Sequence, residues 1–206
     1  MLKLWGRANS SNVKKVTWLC EEIALPYERI DAGLNFGVVN TPEYRKLNPN
    51  GLVPTIEDEG FVLWESNSIV RYLGAKHAAG TGCPTDLKVR ADAERWMDWS
   101  STTLAPAFIP VFLALVRTPA EKRNLQAIED GKKKTVDVLG RLDGALAGRN
   151  FVIGEQFSMA DIALGPVVYL VDKVFTDRPK FASFDAWYAR VSARPAFKKV
   201  VALPVA

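Results

Sequence analysis

Over roughly the first 78 residues, short apolar runs alternate with stretches of helical period. Leu2 to Trp5 has strand length. Asn9-Ser10-Ser11-Asn12 is a polar break, after which Val13, Val16, Trp18, Leu19 and Ile23 recur at helical spacing along one face. Pro26 ends that helix, since it offers no N–H, and Tyr27 to Asp31 predicts a second strand. A Gly- and Asn-containing loop follows, then a short helix from Pro42 to Leu47. Val53 to Ile56 and Phe61 to Trp64 predict two strands joined by the turn Glu57-Asp58-Glu59-Gly60. Ser66 opens a helix whose apolar positions are Ile69, Val70, Tyr72 and Leu73. The order β-α-β, loop, β-β-α predicts a small mixed sheet with helices packed on it.

Residues 79–86 are rich in turn formers (Gly80, Thr81, Gly82, Pro84, Thr85) and are expected to link two domains, 1–78 and 87–206. The second is helical throughout. Val89 to Val116 predicts one long helix bent at Pro106 and Pro110, and Glu121 to Ala147 a second. Met159 to Val174 is strongly apolar, which places it at the centre of the helical core. Phe184 to Val191 and Ala196 to Ala202 close the chain. The expected fold is therefore α/β followed by all-α.

Composition narrows the class. Of 206 residues, 48% are hydrophobic and 24% charged, the balance of a folded globular chain. The net charge of +4 is spread among interleaved acids and bases. The densest run, Lys132-Lys133-Lys134, is expected on a solvated helix face, so no nucleic-acid partner is expected. The positive field still favours an anionic small molecule. Cys20 and Cys83, with the single histidine His77, have no metal-ligand spacing, so no metal is expected. Met1-Leu-Lys-Leu-Trp leads into polar residues without a secretory pattern, and no apolar run nears the ~20 residues of a membrane helix. The expectation is a cytoplasmic protein without a membrane partner.

Four local features carry chemistry. Val53-Pro54 stands at a strand start. With a cis bond there, Val53 would turn its N–H and C=O outward to an extended peptide; a trans edge proline is the other reading. Glu65-Ser66 lies where a strand ends and a helix begins. Ser66 can cap that helix, its N-terminus suits a carboxylate, and Glu65 can receive an ammonium group. Asn9-Ser10-Ser11-Asn12 lies at another helix N-terminus, where hydroxyl and amide donors would stabilise a thiolate, or simply cap the helix. Phe157-Ser158-Met159-Ala160-Asp161-Ile162 reads as a capping box with a hydrophobic staple, a structural motif.

In this order and spacing the motifs resemble the soluble glutathione transferase family over nearly the whole chain, most tellingly in 48–54, 65–73 and 158–163. The resemblance implies a thioredoxin-like first domain, an all-helical second domain, a homodimer, and glutathione as cosubstrate with no prosthetic cofactor. It further implies that the Val53 backbone, ahead of Pro54, pairs with the cysteinyl part of glutathione, and that Glu65 and Ser66 hold the γ-glutamyl group. Lys14-Lys15-Val16 matches the family's basic-x-Val anchor, which points to Ser10 as the thiol-contacting hydroxyl with Ser11 as rival. The run Ser10-Ser11-Asn12-Val13 resembles bacterial members in which an Asn helps to bind sulfur, which brings in Asn12.

Three departures matter. The first loop lacks Tyr and Cys, against the tyrosine-type and the mixed-disulfide classes. Leu52 stands where relatives often carry Lys, so Asn50 or Lys46 is expected at the glycyl carboxylate. Asp98 is placed at the γ-glutamyl ammonium across a dimer interface. The acceptor, an apolar electrophile, is expected against Trp99, Thr103 and Phe108, within a stretch that also offers Trp96, Thr102 and Pro106. Two alternatives stand beside the transferase: a glutathione-dependent disulfide reductase, and a non-catalytic binding protein on the same fold.

Overall fold

The computed structural model describes residues 1–205. Strands β1 (Leu2–Trp5), β2 (Tyr27–Ile30), β3 (Thr55–Asp58) and β4 (Phe61–Trp64) form one sheet in the order β2-β1-β3-β4. β1 runs parallel to β2, with Leu2 opposite Tyr27, and antiparallel to β3, with Leu4 opposite Ile56. β3 and β4 form a hairpin that pairs Thr55 with Trp64. β3 begins at Thr55, two residues later than the apolar pattern suggests, because Pro54 has no N–H for the ladder. Helices α1 (Ser11–Glu22), α2 (Pro42–Leu47) and α3 (Ser66–His77) complete this part, which has a thioredoxin-like mixed sheet.

Helix α4 (Leu87–Trp99) follows, capped by Asp86, whose carboxylate accepts from the N–H groups of Lys88 and Val89 at 2.9 and 3.0 Å. The long bent helix expected next is broken into α4 and α5 (Ala105–Phe112), with wide π-type turns at 100–104 and 113–117. Pro106 and Pro110 cannot donate to the preceding turn, and their rings crowd it, so the backbone opens. This run, Leu87–Arg117, is long and apolar enough by length and composition to cross a bilayer, contrary to the reading of the sequence. Here it packs instead on α6 (Leu125–Leu146) and α7 (Met159–Val174), which are followed by α8 (Ala182–Ala193) and α9 (Pro195–Val200).

α7 is the centre of this helical part, as its strongly apolar sequence predicts; every residue from Met159 to Val171 is buried. Its N-terminus carries the capping box. The Asp161 carboxylate accepts from Ser158 N at 2.9 Å, Ser158 Oγ at 3.2 Å, Val152 N at 3.0 Å and Trp187 Nε1 at 2.8 Å. Burial pushes the Asp161 carboxyl above the ordinary carboxylate range, and these donors act against that.

The two parts meet along α1 and α7. Trp18 is fully buried there, and a Cβ on Gly165 would lie 2.4 Å from its ring, so only glycine lets the helix backbone come that close. Glu22 closes the same seam, accepting from Trp18 Nε1 at 2.8 Å and from Arg194 through two bonds of 2.7 Å. This seam holds the first loop at a set position against the helical part.

Candidate active site

α1 starts where β1 has run out of the sheet and the chain must reverse. Gly6 permits that reversal, since a Cβ there would lie 2.4 Å from a Val13 methyl. Ser10 is the N-cap residue, in extended conformation, and is almost fully buried. Its side chain makes no capping bond, so the hydroxyl is not committed to the helix. Ser11 and Asn12 form the first turn, Asn12 exposed.

The segment ahead of β3 is held by a polar cluster that sequence reasoning missed. Tyr44 Oη donates to Leu52 O at 2.6 Å and lies 2.8 Å from Thr55 Oγ1. Asn48 Nδ2 donates to the same two oxygens, at 2.9 and 3.1 Å. The Val53–Pro54 bond is cis. Among the described residues, the Val53 N–H and C=O bond to no other part of the chain. A buried Asn six residues before a proline was the available signal, but the clustering of Tyr44 and Asn48 is a property of the fold.

At the third corner Glu65 adopts φ 72°, a left-handed conformation costly for a residue with a Cβ, and Ser66 is buried at the start of α3. Backing this corner, Lys15 Nζ donates to Asn67 Oδ1 at 3.2 Å, and Asn67 Nδ2 donates to Met97 O at 2.7 Å and to Ser101 Oγ at 3.1 Å. Burial pulls Lys15 down to about 8, with Glu65 opposing. Lys14, also buried, lies 4.8 Å over the Tyr169 ring and is lowered to about 8. A lysine depressed on folding takes up a proton when the chain unfolds, so stability should rise with pH from about 8. Above pH 9 the climb should slacken, and beyond about pH 10 it should reverse, because burial holds Cys20 and Tyr27 near 12 and unfolding releases their protons. Urea midpoints measured between pH 7 and 9 should therefore climb, and Lys15→Met should flatten the climb. A midpoint that falls over that range would contradict it.

A cavity of about 300 Å³ joins the two parts of the chain. From the first loop it is lined by Arg7, Asn9, Ser10, Ser11 and Asn12, and from the cis-proline segment by Leu52 and Val53. Ala105, Ile109 and Phe112 of α5, Leu113 and Arg117 beyond it, and Val167 and Leu170 of α7 form the opposite wall. The structure thus brings Ser10, Ser11, Asn12, Leu52 and Val53 together. Pro54 is buried behind them; Asn50 and Lys46 are exposed, and these three lie outside the lining, as do Glu65 and Ser66.

The helical wall of the cavity is not made by the residues expected at the acceptor. Phe108 is completely buried, Trp99 packs edge-on against Trp96 at 5.2 Å, and Thr103 lies within the wide turn; none of them lines the cavity. The wide turn at 100–104 shifts the phase of the helix, turning Phe108 into the core and presenting Ile109, Phe112 and Leu113 instead. Within the chain, Asp98 is in a salt bridge with Arg71 of α3. Arg7 and Arg117 were missed. Arg7 had a weak local signal, a cation beside the Gly6 reversal, and Arg117 had none, being distant in sequence.

A cis-proline segment, a helix N-terminus whose N-cap hydroxyl makes no capping bond, and an apolar wall from the helical part meet at one cavity on a thioredoxin-like fold. The chain belongs to the glutathione S-transferase family, and it is a glutathione transferase. Residues 1–75 match the model of the glutathione S-transferase N-terminal domain, and 126–190 that of the C-terminal domain. The chain is 42% identical to glutathione S-transferase GstB of Escherichia coli over all of both chains, and 31% identical to glutathione S-transferase F12 of Arabidopsis thaliana over 98% of each. The glutathione-bound crystal structure of the theta class glutathione S-transferase from Xanthomonas axonopodis pv. citri is similar with a TM-score of 0.95 and 42% identity, covering 100% of this chain and 99% of that one. Glutathione transferase F7 of Populus trichocarpa is similar at 27% identity, over 97% of each chain, with a TM-score of 0.86.

Proposed function

We propose that the chain binds glutathione with its sulfur at the first loop, lowers the thiol pKa and directs the thiolate at an electrophile held by the helical domain. The observation that carries this reading is the shared cavity, in which Ser10, with its uncommitted hydroxyl, faces Ile109, Phe112 and Leu113. A free thiol of pKa ~8.5 is mostly protonated at neutral pH, and lowering it by about two units takes ~2.7 kcal/mol of preferential thiolate stabilisation. The Ser10 hydroxyl, the Asn12 amide and the N-terminus of α1 are together of that order.

In this reading the Val53 backbone pairs with the cysteinyl residue, Glu65 and Ser66 hold the γ-glutamyl end, and Asn50 or Lys46 meets the glycyl carboxylate. That the Xanthomonas relative is solved with glutathione bound supports glutathione as the ligand. The working unit is a cytoplasmic homodimer of two-domain chains, divided at 79–86, with Asp98 reaching the partner's glutathione once released from Arg71.

The test is turnover of chlorodinitrobenzene against 2-hydroxyethyl disulfide, after retention on glutathione-agarose. Transfer to the nitroarene should dominate. Preferential reduction of the disulfide would favour the reductase instead, and failure to be retained would favour a non-catalytic protein.

A further inference from the structure

Arg7 is a charge that the folded chain leaves without a counterpart. It lines the same cavity as Ser10. Its backbone oxygen accepts from Ser10 N at 3.2 Å, so the loop after β1 folds back on itself and holds the two residues close together. Arg7 Nε is buried without a hydrogen-bond partner, and among the described residues the guanidinium forms no salt bridge. A Cβ on Gly33 would lie 3.4 Å from Arg7 Nη1 and 3.5 Å from a Val53 methyl, so the guanidinium is seated beside the cis-proline segment. Burial, and after it the charge of Arg117, hold Arg7 below its ordinary value. A buried donor without an acceptor is unfavourable, and an anion brought beside it relieves both the missing bond and the unbalanced charge.

The place of the guanidinium selects the anion. In the reading above both carboxylates of glutathione are held by residues that do not line this cavity: Glu65 and Ser66 at the γ-glutamyl end, Asn50 or Lys46 at the glycyl end. The cysteinyl residue lies on Val53, which does line it, so the sulfur is the anionic atom of the tripeptide that enters. A cation beside a thiol favours the thiolate. We propose that Arg7 is a further catalytic residue, whose guanidinium donates to the glutathione sulfur beside the Ser10 hydroxyl and holds it as the thiolate. This rests on the transfer reading above and adds a cation to its donors. The thiol proton leaves to solvent and the sulfur keeps the electron pair. The guanidinium keeps all its protons, since it acts as a donor and not as a base.

The test is the thiol pKa of bound glutathione, read by thiolate absorbance in the parent protein, Arg7→Gln and Arg7→Lys. Affinities are measured beside it for glutathione and for S-methylglutathione, which carries both carboxylates but no ionisable thiol. Arg7→Gln should raise the thiol pKa by about one unit, the worth of a charge-assisted contact partly open to water, and weaken glutathione binding at alkaline pH by about 10-fold. Its affinity for S-methylglutathione should stay at the parental value. Arg7→Lys, which keeps the charge but not the planar fork, should shift the pKa by less. The urea midpoint of ligand-free Arg7→Gln should hold or rise, because the guanidinium has no partner to lose. An unchanged thiol pKa in Arg7→Gln would overturn the proposal. So would an equal loss of affinity for both peptides, which would assign the guanidinium to a carboxylate of the tripeptide. In both cases the parent still depresses the thiol pKa, and the transfer reading stands. If the parent leaves the bound thiol at its free value, the transfer reading falls and this proposal with it.

Discussion

Asp161→Ala is expected to lower the thermal and urea midpoints of the chain sharply. The carboxylate takes its four hydrogen bonds from Ser158, Val152 and Trp187 at the buried start of α7. Alanine removes every acceptor at once, and each buried donor left unpaired costs about 1–3 kcal/mol. The sum, on the order of 4 kcal/mol or more, is a large fraction of the ~5–15 kcal/mol that holds a typical domain together. Asp161→Asn keeps one carbonyl acceptor and should fall between. Thermal and urea midpoints check this. A parental midpoint for Asp161→Ala would mean that those donors find other partners. Because α7 carries Val167 and Leu170 of the cavity wall and meets α1 at Gly165, loss of its start should also loosen the site.

Ser10→Ala is expected to raise the pKa of bound glutathione's thiol by about 1–2 units, the worth of one hydrogen bond to a charged group. At neutral pH the thiolate fraction, and with it turnover under subsaturating acceptor, should fall by about 3- to 25-fold. Thiolate absorbance titrated in the bound complex measures this directly. Stability should hardly change, because the Ser10 side chain makes no capping bond and no stabilising contact is lost. Ser10→Thr should keep the donor, and Ser11→Ala should have the smaller effect. An unaltered thiol pKa in Ser10→Ala, or a larger shift in Ser11→Ala, would remove Ser10 from its proposed role.

Much of the fold was legible because its signals are local. The strand Leu2–Trp5, the polar break and the stripe from Val13 to Leu19 are consecutive, so β1, the loop and α1 follow from period alone. The same holds for the capping box, where Ser158 and Asp161 are a single turn apart. Element ends were less legible: β3 starts beyond Pro54, and the run from 87 to 117 opens into two wide turns that no period announces. Those turns set which residues face the cavity: Ile109, Phe112 and Leu113 line it, while Phe108 is turned into the core. A helical pattern reports which residues share a face only while the turn keeps its size.

Taken by itself, the amino-acid order determined the mixed sheet, the helical half and the residues of the first loop, since each depends on neighbours within a few positions. Only the tertiary structure decided what faces that loop. Arg7 and Arg117 are far apart in the chain and become neighbours because Trp18 packs against Gly165 and seats the sheet on α7. That juxtaposition depends on the packing of two surfaces, and packing is not encoded in any local spacing.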